Sequence, residues 1–325
     1  MSEPNLDSPY ASALSNAARS VLTQHYDTGA NLYKFWGSPR SVVSALCLGW
    51  ARSKHPAHLS YAWNLESAPS LDEGIRATTR QAVSRMGLEA KPSPRIFEAG
   101  CGIGGCTLEV AALFPQGRVT GLAIVHSQLE IARQRARAQN IENVEFICGN
   151  YLKTPFPDGY FDAIFAMECI VHTPVEERPS LLREWGRILK PGGHIVIFDG
   201  FSLRHPVNEE ERQTIQDVME GWTLPYPPRP EVFRSQAEES GLRVVEQTNT
   251  TPHVYESARR IAAIATWVLR PLSWLARVPL LGGMARPLGF ESARHAALFV
   301  RACRAQLRLF EQNLGAYFVH VFERT

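Results

Sequence analysis

The sequence predicts an α/β fold with a mostly parallel sheet, because strand and helix patterns alternate at regular spacing between residues 95 and 200. Short apolar runs typical of buried strands begin at residues 95, 118, 144, 160 and 194. Helix-forming segments separate most of these runs. A later alternating segment, 314-LGAYFVHVFE-323, predicts one more strand that returns to the sheet.

Each element of the alternating region has a local signal. The first strand, RIFEAG, ends in the glycine-rich turn CGIGG, and the helix after it stops before Pro115. The second strand precedes the capping box 127-SQLE-130, which predicts Ser127 as a helix cap. The fourth strand precedes a second capping box, 173-TPVE-176, which predicts a helix start at Thr173. The helix LLREWGRILK then ends in a PGG turn.

Composition divides the chain into four predicted segments. Residues 1–90 form a helical cap rich in aromatic residues, and residues 91–200 form the alternating core. Residues 201–312 form a largely helical insertion around a substrate pocket, with one sheet strand near 243–250. Residues 313–325 form the final strand of the sheet.

Charge and hydropathy exclude several classes of function. The net charge is only +2, so nothing calls for a nucleic-acid partner. The apolar region 261–290 is interrupted by arginines and prolines, so a transmembrane segment is not expected; it either covers a pocket or meets a membrane surface. No signal peptide is predicted, and the six cysteines lack metal-ligand spacing. We expect a cytoplasmic protein with reduced thiols, and a homo-oligomer stays open.

A glycine-rich turn after the first strand predicts a ligand site at the carboxyl edge of the sheet, where open parallel sheets bind their ligands. The stretch 98-EAGCGIGG-105 has glycines at alternate positions, which let the backbone approach a ligand closely. Dinucleotide oxidoreductases use related loops. Glu98 ahead of the loop, and Ala123 where an NAD site would have an acid, disfavour that class.

A carboxylate and a histidine follow the fourth strand, in 161-FDAIFAMECIVHTP-174. The apolar strand stops on Glu168, and His172 lies in the loop after it, at the edge where a ligand is expected. A carboxylate among apolar neighbours is expected to have a raised pKa and to act as a base. His172 has two open interpretations: a residue satisfied by the backbone at a helix start, or a residue that acts on the substrate.

Three stretches resemble the class I S-adenosylmethionine (SAM) dependent methyltransferases. They are EAGCGIGG at 98–105, YLKTPFPDGYFDAIFAMECIVH at 151–172 and LLREWGRILKPGGHIVI at 181–197. Within that class, AMECIVHTP and 25-HYDTGANLYKFWGS-38 are similar to the sterol 24-C-methyltransferase and prenyl diphosphate C-methyltransferase group. O-methyltransferases of sugars and natural products share most of the pattern.

The resemblance implies a Rossmann-like SAM-binding sheet that is mostly parallel with an antiparallel last strand, and it implies a set of cofactor-binding residues. The glycine loop would pass beneath the methionine part of SAM, and Asn150 would lie at the adenine. Many relatives have aspartate there, but asparagine can also accept a hydrogen bond from the adenine amino group. The implied cofactor-binding residues are Glu98, Gly100, Cys101, Gly102, Gly104, Ala123, Ile124, Gln128, Asn150, Tyr151, Leu152 and Met167.

The aromatic residues of the N-terminal part are either core residues or walls of a substrate pocket, where their π-faces would stabilise a cation. The candidates are Tyr26, Tyr33, Trp36, Tyr61 and Trp63. Methyl addition to an alkene leaves a carbocation, which needs an apolar pocket and a base. We therefore expect C-methylation of a hydrophobic isoprenoid, such as geranyl diphosphate or a related terpenoid, with Glu168 as the base.

Other functions stay open at this point. An O- or N-methyltransferase of a hydrophobic natural product would use His172 as the base. A SAM-binding partner protein without catalytic activity would explain why Ala123 stands where an acid is expected. If the acceptor is a diphosphate, Mg²⁺ becomes a further expected cofactor, and the sequence assigns no ligands to it.

Overall fold

Seven strands form a single sheet in the computed structural model, which describes residues 60–271 and 293–325. The strands are β1 (Arg95–Ala99), β2 (Arg118–Ala123), β3 (Val144–Cys148), β4 (Phe161–Met167), β5 (Leu189–Ser202), β6 (Leu242–Asn249) and β7 (Gly315–Arg324). Their order across the sheet is β3-β2-β1-β4-β5-β7-β6. Strands β1 to β5 pair in parallel, and β7 runs antiparallel to both β5 and β6. The predicted mostly parallel sheet with an antiparallel last strand is confirmed.

Helices cover both faces of this sheet. Among the described residues they are α1 (Leu71–Val83), α2 (Gly105–Leu113), α3 (His126–Ala138), α4 (Arg178–Ile188), α5 (Glu209–Trp222), α6 (Pro230–Glu239), α7 (Thr251–Ile264) and α8 (Ala293–Glu311). Phe97 of β1 packs in one hydrophobic layer with Trp185 of α4. Its neighbour Ile96 faces the other layer, with Val110 of α2 and Val254 of α7. Burial on both faces explains why the central strands are apolar throughout.

Two helix starts differ from the sequence-based prediction. Helix α3 begins at His126, after the extended Val125 and without a side-chain cap, so Ser127 lies inside the first turn. Helix α4 begins at Arg178 rather than at Thr173. The hydroxyl of Thr173 lies 3.0 Å from the phenol oxygen of Tyr151, and the next residue is a proline with extended ψ. A short 3₁₀ turn, Val175–Glu177, fills the gap.

The apolar region 261–290 is described only up to residue 271. Its first part completes α7 and continues as a π turn, Ala265–Leu269, which packs against Phe299 and Val300 of α8. Within the described residues, no helix combines the length and apolar character needed to cross a membrane. The predicted pocket residues Tyr26, Tyr33 and Trp36 lie outside the described residues.

Candidate active site

A cleft opens beyond the carboxyl ends of β1, β2, β3 and β4. It holds about 1220 Å³ of space free of protein atoms, including the part open to solvent. Both predicted catalytic residues line it, and so do all the predicted cofactor-binding residues except Gly104. Further lining residues, which the sequence did not single out, are Ser60, Ile103, Gly105, Cys106, Val125, Cys169, Thr173, Pro174 and Glu177. This is the position at which open α/β sheets bind ligands.

The glycine loop after β1 forms the floor of the cleft. The amides of Gly100 and Cys101 both donate to the carbonyl oxygen of Leu122, at 2.8 and 3.0 Å, which ties the loop to β2. Gly102 has a φ of +51°, and the nearest atom to a Cβ built there is Oε1 of Gln128, 3.8 Å away. The loop therefore leaves room for a ligand directly above its backbone.

Gly104 has a packing function and does not line the cleft. Its φ is +76°, and it precedes the first residue of α2. A Cβ at this position would lie 2.8 Å from the side chain of Ala132 and 2.9 Å from the ring of Phe146. A side chain is excluded both by the left-handed backbone and by the close approach of α3. The structure thus explains Gly104 without a cofactor contact.

Glu98, at the end of β1, is a buried carboxylate on the cleft wall. It accepts a hydrogen bond from the hydroxyl of Thr107, in the first turn of α2. Burial nevertheless raises the pKa of Glu98 to about 8. A cationic group bound beside it would favour the charged carboxylate again.

Asn150 and the two residues after it form a rigid corner at the end of β3. Oδ1 of Asn150 accepts a hydrogen bond from the amide of Leu152 at 2.9 Å, while Nδ2 is buried without a partner. The indole of Trp185 donates to the carbonyl oxygen of Tyr151 at 3.1 Å. The carbonyl oxygen of an amide has two lone pairs, so the expectation that Asn150 accepts a hydrogen bond from an adenine amino group stays a prediction.

Glu168 follows β4 in a strained left-handed backbone conformation, with φ at +53°. Oε1 accepts two hydrogen bonds of 3.0 Å, from the amide of Tyr61 and from the phenol of Tyr317. Desolvation raises the pKa of Glu168 to about 7, and the two hydrogen bonds oppose that rise. A strained, oriented carboxylate with a pKa near neutral is the usual description of a general base.

Asp199 of β5 fixes the turn that leads to His172. Its Oδ2 accepts hydrogen bonds from the amides of Ile170 and Val171, at 2.8 and 3.2 Å. Burial raises the pKa of Asp199 to about 8, and the charge of Glu168 adds to the rise. The turn Ile170–His172 therefore presents His172 to the same cleft as Glu168.

Tyr61 and Trp63 lie in the hydrophobic core rather than on the cleft wall. The ring of Tyr61 packs edge-on against Tyr317, and Trp63 stacks on His253 with ring centroids 4.3 Å apart. Tyr61 still contributes its backbone amide to Glu168. No cluster of three or more histidine, cysteine or acidic side chains suited to a metal occurs in the described part of the chain.

The comparisons with known proteins agree with this architecture. Residues 96–193 match a family model described as a methyltransferase domain. The chain is 30% identical over 300 residues to 24-methylenesterol C-methyltransferase 2 of Oryza sativa subsp. japonica, covering 88% of this chain and 76% of the rice protein. It is 28% identical over 174 residues to the 27-O-demethylrifamycin SV methyltransferase of Amycolatopsis mediterranei strain S699, covering 53% of this chain and 60% of that protein.

A solved structure has the same fold at low sequence identity. It is geranyl diphosphate C-methyltransferase from Streptomyces coelicolor A3(2), in complex with Mg²⁺, geranyl-S-thiolodiphosphate and S-adenosyl-L-homocysteine. The TM-score is 0.67 at 16% identity, over 96% of this chain and 99% of that chain. With the long match to the rice protein, the family is clear: this chain belongs to the class I SAM-dependent methyltransferases, in the group that includes the sterol C-methyltransferases.

Proposed function

We propose that the protein transfers the methyl group of SAM to a carbon atom of an isoprenoid alkene, with a prenyl diphosphate such as geranyl diphosphate as the acceptor. The proposal rests on the carboxylate of Glu168, the residue that directly follows β4. It is desolvated, is held by two donors and has a pKa of about 7. Near neutral pH a large fraction of it is ionised, yet it keeps enough basicity to remove a proton.

The cleft residues fit SAM, which supplies an electrophilic methyl group. The glycine loop would lie under the methionine end, where Glu98 would balance the ammonium charge. The corner around Asn150 would contact the adenine, and Gln128 would lie beside the cofactor. Met167, the last residue of β4, borders the path of the methyl group toward the acceptor.

Glu168 then has two consecutive roles in the transfer. Attack of the alkene on the methyl carbon would form the new C–C bond and break the carbon–sulfur bond, whose electron pair stays on the sulfur of the departing S-adenosylhomocysteine. The cation left on the acceptor would be stabilised by the carboxylate charge. The adjacent C–H bond next loses its proton to Glu168, and its electron pair forms the new double bond. Oε1 is held by Tyr61 and Tyr317, so Oε2 is the oxygen that takes the proton. Met167 and Cys169, on either side, are buried and apolar, which disfavours capture of the cation by water.

The names of the relatives support an isoprenoid acceptor. The rice protein is named for methylation of a sterol carbon, and the Streptomyces structure holds a geranyl diphosphate analogue with Mg²⁺. Dependence on Mg²⁺ therefore belongs to the proposal if the acceptor is a diphosphate.

An O-methyltransferase with His172 as the base is the second candidate. His172 lines the same cleft as Glu168, and the Amycolatopsis relative is named for methylation of an oxygen. The two candidates assign the base to different residues, so matched substitutions separate them.

The test compares Glu168→Gln, His172→Ala and the control Glu176→Gln in assays with SAM and geranyl diphosphate. We expect Glu168→Gln to keep its affinity for SAM and to lose turnover by about 100-fold or more, the usual contribution of a general base. Glu176 is exposed on the turn next to the cleft, and its substitution should change neither quantity. If His172→Ala loses more turnover than Glu168→Gln, the O-methyltransferase becomes the better account.

A further inference from the structure

No residue of helix α7 (Thr251–Ile264) lines the cleft, yet the start of this helix is tied to both groups that donate to Glu168. The two donors are the amide of Tyr61 and the phenol of Tyr317. They come from opposite ends of the described chain. Each lies on a stretch of backbone that is hydrogen-bonded to the first two turns of α7 or to the residue before them.

The stretch that carries the Tyr61 amide is held by two side chains of α7. The amide of Ala62 donates to Oγ of Ser257 at 3.0 Å, and both residues are buried. The amide of Asn64 donates to the carbonyl oxygen of His253 at 2.7 Å, and Nδ1 of His253 lies 2.8 Å from Oδ1 of Asn64. These bonds fix where the Tyr61 amide points.

The backbone of Tyr317 is held by the residues at which α7 begins. Its amide donates to Oγ1 of Thr251 at 2.9 Å. Its carbonyl oxygen accepts from the amide and the hydroxyl of Thr250, at 2.7 and 3.1 Å. Strand β6 ends at Asn249, which pairs with Phe318, so the start of α7 replaces the next ladder position of the sheet.

We propose that the first two turns of α7 position Glu168 by holding both of its hydrogen-bond donors, with Ser257 and Thr251 as the positioning residues. Ser257 acts through the Tyr61 amide, and Thr251 acts through Tyr317. The consequence for turnover rests on the proposed role of Glu168 as the base. The consequence for the carboxyl group itself does not depend on the reaction.

Loosening either donor should raise the pKa of Glu168, because the hydrogen bonds from Tyr61 and Tyr317 both lower it. The other titratable groups coupled to this carboxylate are Asp199 of β5 and Cys106 of α2, whose pKa values its charge raises. Neither belongs to α7, so substitutions in α7 leave both in place.

The test titrates the Glu168 carboxyl in the full-length protein by infrared spectroscopy, without any substrate. The protein is labelled with ¹³C-glutamate, and the band of interest is the one lost in Glu168→Gln. We expect Ser257→Ala and Thr251→Val each to move the midpoint to higher pH by about 0.5 or more, since each weakens one donor. The midpoint of kcat/KM should move in the same direction.

The control is Asn208→Ala at the start of α5. It removes a side-chain acceptor from a backbone amide, that of Glu211 at 2.9 Å, as Ser257→Ala does for Ala62. Thermal melts of these variants report on folding, and the control should lose stability without moving the midpoint. If Ser257→Ala does not fold, the partly buried Thr251 decides through Thr251→Val.

Double variants separate positioning from a general loosening of the fold. In a Tyr317→Phe background the phenol is absent, so Thr251→Val should cause no further shift, whereas Ser257→Ala should keep its effect. An equal shift by Thr251→Val in both backgrounds would remove Thr251 from the positioning of Glu168.

Midpoints that stay at the wild-type value in both single variants, or that the control reproduces, overturn the proposal and leave the methyltransferase function standing. Shifted midpoints together with full turnover by Glu168→Gln support the positioning by α7, but they overturn Glu168 as the base.

Discussion

Tyr317 joins the last strand of the sheet to the carboxylate at the mouth of β4. Its hydroxyl donates to Glu168 at 3.0 Å, and its ring meets Tyr61 edge-on with centroids 5.2 Å apart. Burial raises the pKa of Tyr317 well above its ordinary value, so the phenol stays protonated and keeps donating. Tyr317 is thus a positioning residue for Glu168.

Substitution of Tyr317 should move the pH dependence of the reaction. The hydrogen bond from Tyr317 lowers the pKa of Glu168, so Tyr317→Phe should raise that pKa. The proposed base must be ionised to act, so kcat/KM should rise with pH through this pKa, and the midpoint should move to higher pH in the variant. The pH–rate profile measures this.

The control for that profile is Tyr255→Phe. It removes a tyrosine–glutamate hydrogen bond of 3.2 Å to Glu311, on the surface and away from the cleft. Its midpoint should match the wild type. A Tyr317→Phe midpoint equal to that of the control, or lower, would contradict the positioning role.

His320 is a polar residue buried in the hydrophobic core without a hydrogen-bond partner. It is fully buried, and neither ring nitrogen has a hydrogen-bond partner. Its ring lies among phenylalanines, the nearest being Phe201, with centroids 4.5 Å apart. Burial lowers the pKa of His320 to about 3, so the residue is neutral in the folded protein at neutral pH.

His320→Phe should increase the free energy of unfolding by about 1–3 kcal/mol at pH 7, the cost of an unsatisfied buried polar group. Below pH 6.5 the unfolded chain binds a proton at His320 that the folded chain does not. The free energy of unfolding of the wild type therefore decreases as the pH is lowered. The difference between variant and wild type should therefore grow by about 2 kcal/mol at pH 5. Denaturant unfolding at both pH values measures it.

The control for His320→Phe is the same substitution at a surface histidine. His205 is exposed, so His205→Phe should not reproduce either effect. A His320→Phe protein that is less stable than the wild type at both pH values would mean that the ring nitrogens have partners, for example buried water.

At the scale of elements, helices α5 and α8 cross at Gly221. A Cβ at Gly221 would lie 2.3 Å from Cβ of Ala302 and 2.9 Å from the carbonyl oxygen of Leu298. The two helix backbones can approach this closely only because the residue is glycine. The contact packs α5 directly against α8.

Gly221→Ala should lower the free energy of unfolding by about 1–3 kcal/mol, as overpacking does, although alanine favours a helix. Gly186 of α4 is the matched control, because a Cβ there would meet Leu242 at an ordinary 3.4 Å. Gly186→Ala should be neutral or stabilise the protein by up to about 1 kcal/mol. Equal effects of the two substitutions would contradict the close crossing.

Periodicity and glycine chemistry are local properties, so the sequence predicts the strands, the glycine loop and the position of Glu168. The predicted helix starts are wrong where tertiary contacts compete with local capping. The hydroxyl of Thr173, for example, lies within hydrogen-bond distance of the Tyr151 phenol and does not cap a helix. Tyr317 and Asp199 were missed because they reach the site from distant parts of the chain. The only sequence signal that could have pointed to Tyr317 is its position on the predicted final strand.

At the scale of the whole molecule, three carboxylates lie in or next to one cleft: Glu98 and Glu168 line it, and Asp199 supports the turn that leads to His172. The pKa values of Glu98 and Asp199 are raised to about 8, and that of Glu168 to about 7. Clusters of raised pKa values in a cleft are typical of catalytic sites. Such acids suit a ligand that carries a sulfonium and an ammonium, and a reaction that passes through a cation.

Product analysis with deuterated SAM tests the C-methylation proposal most directly. The full-length protein is incubated with SAM that carries a CD₃ group, with and without Mg²⁺. The acceptors are geranyl and farnesyl diphosphate, their alcohols, a sterol, and several phenols and amines. We expect an intact CD₃ group on a carbon of a prenyl acceptor, together with a new or shifted double bond. Label found only on oxygen or nitrogen would contradict C-methylation and the role of Glu168 as its base.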